Sequence, residues 1–203
     1  MRSRLDLLQV IGINGVCQHR KTNGQICGAT LDRRGAHATS CGCGGWTGRR
    51  HDEVKDELAD FAHKNRGLAA KECILPYANP SLPEARLDAL IRSANAAGRQ
   101  IIDVTVVPPL SRNMLRHGVS SRAPGAAAAA AASHKRRKYP NIDVIPFAIE
   151  HFGRWGEDAL AFAKSLAPPP ESGRSEVLSE FYQDVSCAVH RSNANAILSA
   201  SGR

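Results

Sequence analysis

Four cysteines and two histidines fall within residues 17–43, and four of these six fit one spacing, Cys17-x9-Cys27-x9-His37-x3-Cys41. Three thiolates and an imidazole make a closed tetrahedral donor set for Zn²⁺. Such a set staples a loop-rich segment rather than working on a substrate. Cys43 and His19 are spare donors, and spacing alone leaves either one open as a replacement. Unliganded cysteines in a loop are the plainer alternative. A secreted disulfide framework fits poorly, because the cysteines cluster with histidine while Cys73 and Cys187 stand apart in apolar surroundings.

The second constellation is a pair of acids. Asp103 interrupts the apolar run Ile101-Ile102-Asp103-Val104-Thr105-Val106-Val107. A carboxylate in such a strand needs a partner or a metal, since burying it alone is very costly. Asp88 lies in Arg86-Leu87-Asp88. If 85–91 and 100–107 form a hairpin about a turn at Asn95–Gly98, positions 88 and 103 fall nearly opposite one another. Facing carboxylates repel unless a divalent cation or a lysine lies between them. Oxygen donors, few in number and partly open, suit Mg²⁺. The competing reading is a single buried aspartate held by Arg86 or by a backbone amide.

The third is His134-Lys135-Arg136-Arg137-Lys138-Tyr139. On a helix, Lys135 and Lys138 share a face, so one lysine pair can look toward a sheet while Arg136 and Arg137 reach outward to phosphates. A solvated helix end is the bland alternative. Gly42-Cys43-Gly44-Gly45-Trp46-Thr47-Gly48 follows a candidate ligand rather than a strand and lacks a Gly-Lys-Ser/Thr ending. It reads as an exit turn, not a phosphate cradle.

These groups need elements to position them. The chain has 203 residues, with 27 Lys and Arg against 19 Asp and Glu, 42% hydrophobic and 23% charged residues. That is a globular composition with a positive field, which favours a polyanionic partner. Aromatics at 5% argue against a stacking platform for single-stranded bases. The apolar patch at Leu7–Ile11 is too short for a signal peptide, and no run reaches membrane-spanning length. Five parts are expected: a lead-in over 1–16, a zinc-binding knuckle over 17–49, an α/β core over 50–166, a Pro-rich linker over 167–175 and a C-terminal helix over 176–203. Within the core the patterning predicts a helix over 50–66, strands over 72–75, 85–91 and 100–107, and a loop over 110–124. An alanine-rich helix from residue 126 to Tyr139, a strand near 144–149 and a helix over 157–166 follow. The knuckle is too poor in apolar residues to fold without its metal, whereas the core is expected to survive metal loss.

Taken in order, the Cys-Cys-His-Cys set, Arg50-His51-Asp52 opening a helix, Arg86-Leu87-Asp88, Ile102-Asp103-Val104-Thr105 and Lys135-x-x-Lys138-Tyr139 follow one another. In this order the chain resembles the restriction-like endonuclease of non-LTR (LINE-type) retrotransposons, over residues 17 to 156 or so. The resemblance implies a PD-(D/E)XK restriction-endonuclease-like α/β core, a mixed sheet flanked by helices, behind a small zinc knuckle. It implies a metal-dependent DNA endonuclease that nicks a strand by phosphodiester hydrolysis. Asp88 and Asp103 then hold Mg²⁺ with the Val104 carbonyl as a third ligand. Lys135 supplies from the helix the charge that Thr105 cannot supply from the strand, and Asp52 or Glu72 adds an outer ligand. Arg49, Arg50, Arg136, Arg137, Lys138 and Tyr139 would contact nucleic acid. The implied partners are a duplex DNA target, element RNA and a reverse transcriptase domain of the same element, in the nucleus, with no membrane. The alternatives are a catalytically decayed or non-catalytic zinc-containing nucleic-acid-binding module, and a zinc-bearing scaffold.

Overall fold

The computed structural model describes residues 15–93 and 98–202. Nearly all of the expected lead-in and most of the expected turn at Asn95–Gly98 lie outside the described residues. The chain opens with a short antiparallel ribbon, in which Cys17 N–H donates to Ala29 O (2.8 Å) and Cys27 N–H to His19 O (2.7 Å). The five-residue helix α1 (Ala36–Ser40) follows, then α2 (Trp46–Lys64). Gly44 and Gly45 both adopt positive φ, 80° and 75°, between α1 and α2. A Cβ on Gly44 would sit 3.2 Å from the His19 ring, so the glycine-rich stretch is the tight exit from the ribbon. That turn starts α2 at Trp46, a full turn before the expected Arg50.

The sheet contains β1 (Leu68–Ile74), β2 (Arg86–Arg92), β3 (Gln100–Val107) and β4 (Val144–Glu150), in that spatial order. β1, β2 and β3 are successively antiparallel, while β3 and β4 are parallel. The crossover between the parallel strands carries α3 (Arg112–Arg116) and α4 (Ala126–Lys138), and α5 (Glu157–Leu166) and α6 (Arg174–Ala200) complete the chain. The fold is therefore mixed α/β, a four-stranded mixed sheet flanked by helices. Among the described residues no helix is long and apolar enough to cross a membrane.

β3 is covered on both faces. Ile102 and Val104 enter a core with Val54, Leu58 and Phe61 of α2, Phe162 of α5, and Phe181, Val185 and Val189 of α6. Ile101 packs with Leu87, Tyr139 and Val144 on the other side. The alanine run lets α4 lie close on β4, where Ala128 and Ala132 meet Ala148. Phe61 of α2 stacks on Phe181 of α6 at 3.9 Å between ring centroids, so the last helix belongs to the same core as the sheet.

β1 begins four residues before the expected strand. Leu68-Ala69-Ala70-Lys71 has no alternation to read, because β1 is an edge strand and most of its residues are exposed. The expected loop after β3 also holds the single helical turn of α3.

Candidate metal centre and acid cluster

The ribbon sets Cys17 and Cys27 across from one another, and α1 brings His37 and then Cys41 to the same point. One donor atom from each of Cys17, Cys27, His37 and Cys41 lies within 4.8 Å of all the others. The separations are 3.9 Å from Cys17 Sγ to Cys41 Sγ, 3.7 Å from Cys41 Sγ to Cys27 Sγ and 3.5 Å from Cys27 Sγ to His37 Nε2. A tetrahedral ion with metal–sulfur bonds of about 2.3 Å places sulfurs about 3.8 Å apart and sulfur from nitrogen about 3.5 Å. The Cys₃His set could thus hold a metal ion such as zinc without rearrangement. Its chemistry fits as well. Burial pushes the Cys17 thiol up and the Cys41 thiol up to about 12, so a cation is what can draw their protons away.

Of the two spare donors, His19 is buried and its Nε2 donates to the Ala196 carbonyl at 3.0 Å, while Cys43 borders the set, its N–H donating to Cys41 Sγ at 3.4 Å. Asp32 organises the approach to the histidine. Its Oδ1 accepts from the Arg34 and Ala36 N–H groups (2.9 and 3.0 Å) and its Oδ2 from the His37 N–H (2.7 Å), replacing the side-chain cap that Gly35 cannot give α1.

The acid cluster is assembled from four elements. β2 and β3 pair in the register Ile91↔Gln100, Leu90↔Ile101, Ala89↔Ile102, which brings Asp88 and Asp103 together at the next step. The two carboxyl groups are close enough to perturb one another's ionisation. Lys135 Nζ reaches down from α4 to donate to Asp103 Oδ1 at 2.8 Å. The Val104 N–H donates to Asp88 Oδ2 at 2.6 Å. The Asp103 side chain is 3% exposed, and its Oδ2 has no hydrogen-bond donor.

Two residues complete the cluster that the sequence reading gave no role. His51, in the first turns of α2, places Nε2 3.0 Å from Asp88 Oδ2 and Nδ1 3.4 Å from Asp52 Oδ1. Lys55, one turn further, is buried and is ion-paired with both Asp52 (3.1 Å) and Glu72. Asp52 and Glu72 thus both pair with Lys55, and Asp52 also reaches Asp88 through His51. Glu72 does so from a strained backbone, with φ 57° in the middle of β1. The signal available for His51 was its place in Arg50-His51-Asp52. Nothing local marked Lys55.

The two aspartates titrate in opposite directions. Burial works against ionisation at both. At Asp88 the bonds from His51 and Asp103 outweigh it and bring the group down to about 2. At Asp103 burial and the neighbouring Asp88 outweigh Lys135 and push it up to about 6. The His51 imidazolium is favoured, chiefly by its bond to Asp88.

The expected nucleic-acid contacts divide. Arg137 is exposed, Arg49 lies over the Trp46 ring (4.7 Å), and Lys138 lies over the Tyr139 ring (4.7 Å). Arg136 is exposed but pairs with Asp158 at 2.5 Å. Two expectations are overturned. Arg50 is 1% exposed and bonds inside the protein, and Tyr139 is fully buried, its hydroxyl donating to the Arg86 carbonyl at 3.1 Å. Neither can touch a phosphate. Both were read as surface groups because a charge run does not reveal which of its members the fold turns inward. No protein-family model matches this chain, and no curated protein matches it in sequence.

Proposed function

We propose that this chain is a metal-dependent DNA endonuclease of the PD-(D/E)XK type, derived from a non-LTR retrotransposon and acting on nuclear duplex DNA, with a structural zinc at its Cys₃His site. The observation that carries the reading is the Asp88–Asp103–Lys135 arrangement. Two buried carboxylates meet across antiparallel strands, one oxygen of Asp103 lacks a donor, and an ammonium approaches from a helix. An acidic oxygen left bare in the interior is a fit for a hard cation such as Mg²⁺. Bound there, Mg²⁺ would acidify a water and neutralise charge on the attacked phosphate.

The chain's own residues do the rest. Asp88 and Asp103 hold the cation, and the Val104 N–H and His51 fix Asp88 in place. Lys135, which donates to Asp103 Oδ1, is the ammonium that would stabilise charge building on a phosphoryl oxygen beside that carboxylate. Arg137, Lys138 and Arg49 hold flanking phosphates without reading sequence.

The test is magnesium-dependent nicking of supercoiled plasmid by the purified chain. Asp88→Asn and Asp103→Asn should each abolish nicking, a loss on the order of 10³-fold, while leaving duplex binding intact. A wild-type chain that binds DNA and never nicks it, across Mg²⁺ and Mn²⁺ concentrations, refutes the endonuclease. One observation favours the second reading, a non-catalytic nucleic-acid-binding module. Asp88, Lys135 and His51 all have protein partners already, which is what a purely structural polar network looks like.

A further inference from the structure

Arg50 stands one residue before His51, and its guanidinium is buried between the metal knob and the core. Nη2 donates to the Thr39 carbonyl at 2.8 Å and Nη1 to Asn193 Oδ1 at 2.7 Å. Asn193 Nδ2 donates in turn to the His151 carbonyl (2.8 Å), and the His151 N–H to the Val107 carbonyl at the end of β3 (2.9 Å). One cation thus touches α1 and α6 directly and reaches the sheet through Asn193 and His151. Nε has no acceptor, so its two bonds are the support that keeps a charge inside.

One of those two supports depends on the knob. Thr39 lies between His37 and Cys41 in a helix of five residues, far below the length at which a helix persists by itself. Ligands on either side of Thr39 fix its carbonyl when a metal is bound. Without the metal, Arg50 loses an acceptor and must find water, and the turn of α2 that carries it carries His51 as well. The start of α2 is also tied back to the ribbon, where Gly44 N–H donates to the Arg20 carbonyl at 2.9 Å.

We infer that Arg50 is a positioning residue through which metal occupancy of the Cys₃His site sets the first turns of α2, and with them the His51–Asp88 contact. The catalytic consequence rests on the endonuclease reading; the coupling does not. Linkage makes the coupling reciprocal, so whatever loosens Arg50 must weaken metal binding at ligands it never touches.

The experiment uses the full chain with Co²⁺ as a visible probe of the Cys₃His site. Lysine at position 50 keeps the charge but presents one compact head that cannot span both acceptors. Arg50→Lys should therefore weaken Co²⁺ binding roughly tenfold while the shape of the absorption spectrum is unchanged, the ligand set being intact. In the metal-saturated variant, amide exchange over 46–55 should rise roughly tenfold while α5 stays protected. Stripping the wild-type chain of metal should loosen the same 46–55 segment. Asn193→Ala, which removes the other acceptor, should shift both readouts in the same direction and serves if Arg50→Lys does not fold. Wild-type Co²⁺ affinity in both variants would overturn the inference. So would a metal-free chain that loosens over 15–45 and keeps wild-type exchange over 46–55. Plasmid nicking measured alongside separates the two claims. A wild type that never nicks removes the endonuclease and leaves the affinity and exchange results to decide the coupling.

Discussion

The metal knob and the acid cluster are both small polar constellations seated on apolar supports, but they are completed in opposite ways. The knob takes its four ligands from 25 consecutive residues and arranges them at bonding distance from a common centre, with no protein cation among them. The acid cluster takes His51 from α2, Asp88 from β2, Asp103 from β3 and Lys135 from α4, and satisfies most of their charge internally. A knob of that kind does nothing until a metal enters. On the endonuclease reading, a cation entering the cluster would have to displace an ammonium. The knob offers donors that no protein cation meets, the cluster donors that protein groups already meet.

The two regions should therefore fail differently. The largest effect is expected at the knob. Cys41→Ser should leave the chain without its bound metal and lower its melting temperature by roughly 10 °C or more, at about 2–4 °C per kcal/mol for a chain of this size. Metal analysis together with scanning calorimetry checks it, and a variant that melts like wild type would mean that the knob is not a metal staple. Because Gln18 N–H donates to the Ala200 carbonyl and His19 bonds that of Ala196, the knob is seated on the end of α6. Metal loss should therefore reach the core, contrary to the separable knuckle expected from composition.

A smaller effect, of opposite character, is expected at the acid cluster. Asp103 is raised from its ordinary 3.8 to about 6 in the folded chain. Between those values the folded state holds a proton that the unfolded state has released, so stability should fall as pH rises from about 4 to 6. Asp88 is lowered, so its contribution is present above 3.8 and is lost only as pH falls toward about 2. Urea denaturation in magnesium-free buffer across this range measures the slope, and Asp103→Asn should flatten it. A slope unchanged in the variant would place the titration elsewhere.

The smallest effect separates two neighbours on α4. Arg137 is exposed, whereas Arg136 is engaged with Asp158. Arg137→Ala should lower the salt slope of duplex binding by about one, uniformly across sequences, and Arg136→Ala by less. Equal losses would show that the Asp158 pair opens on binding.

The two regions also differ in how they could be read from the chain. Spacing narrows the knob's ligands to six local residues, because the ribbon and α1 need only close a short loop, and the fold then chooses four of them. Asp88 and Asp103 follow from a register, since a turn near 95–98 fixes which positions oppose one another. Lys135 needed the order of parts as well. His51, Lys55 and the interior place of Arg50 did not follow, because helix α2 is charged along much of its length. Arg50 and Lys55 lie in register with the apolar stripe Val54, Leu58 and Ala62, but a charge there reads as the end of the stripe rather than as part of it. β1 was shortened for a related reason: an exposed edge strand has no buried face to impose alternation.

The seating of the knob on the last turns of α6 bears on how the protein is made. Residues 17–41 leave the ribosome roughly 150 residues ahead of Ala196, Ile197 and Ala200, against which they rest. At about 5–20 residues per second, the nascent knob waits on the order of 10–30 s for its apolar seat. During that interval its thiols are open to oxidation and mispairing, which a bound metal ion would prevent. Supply of metal during translation should then bear on how much of the chain reaches the native state.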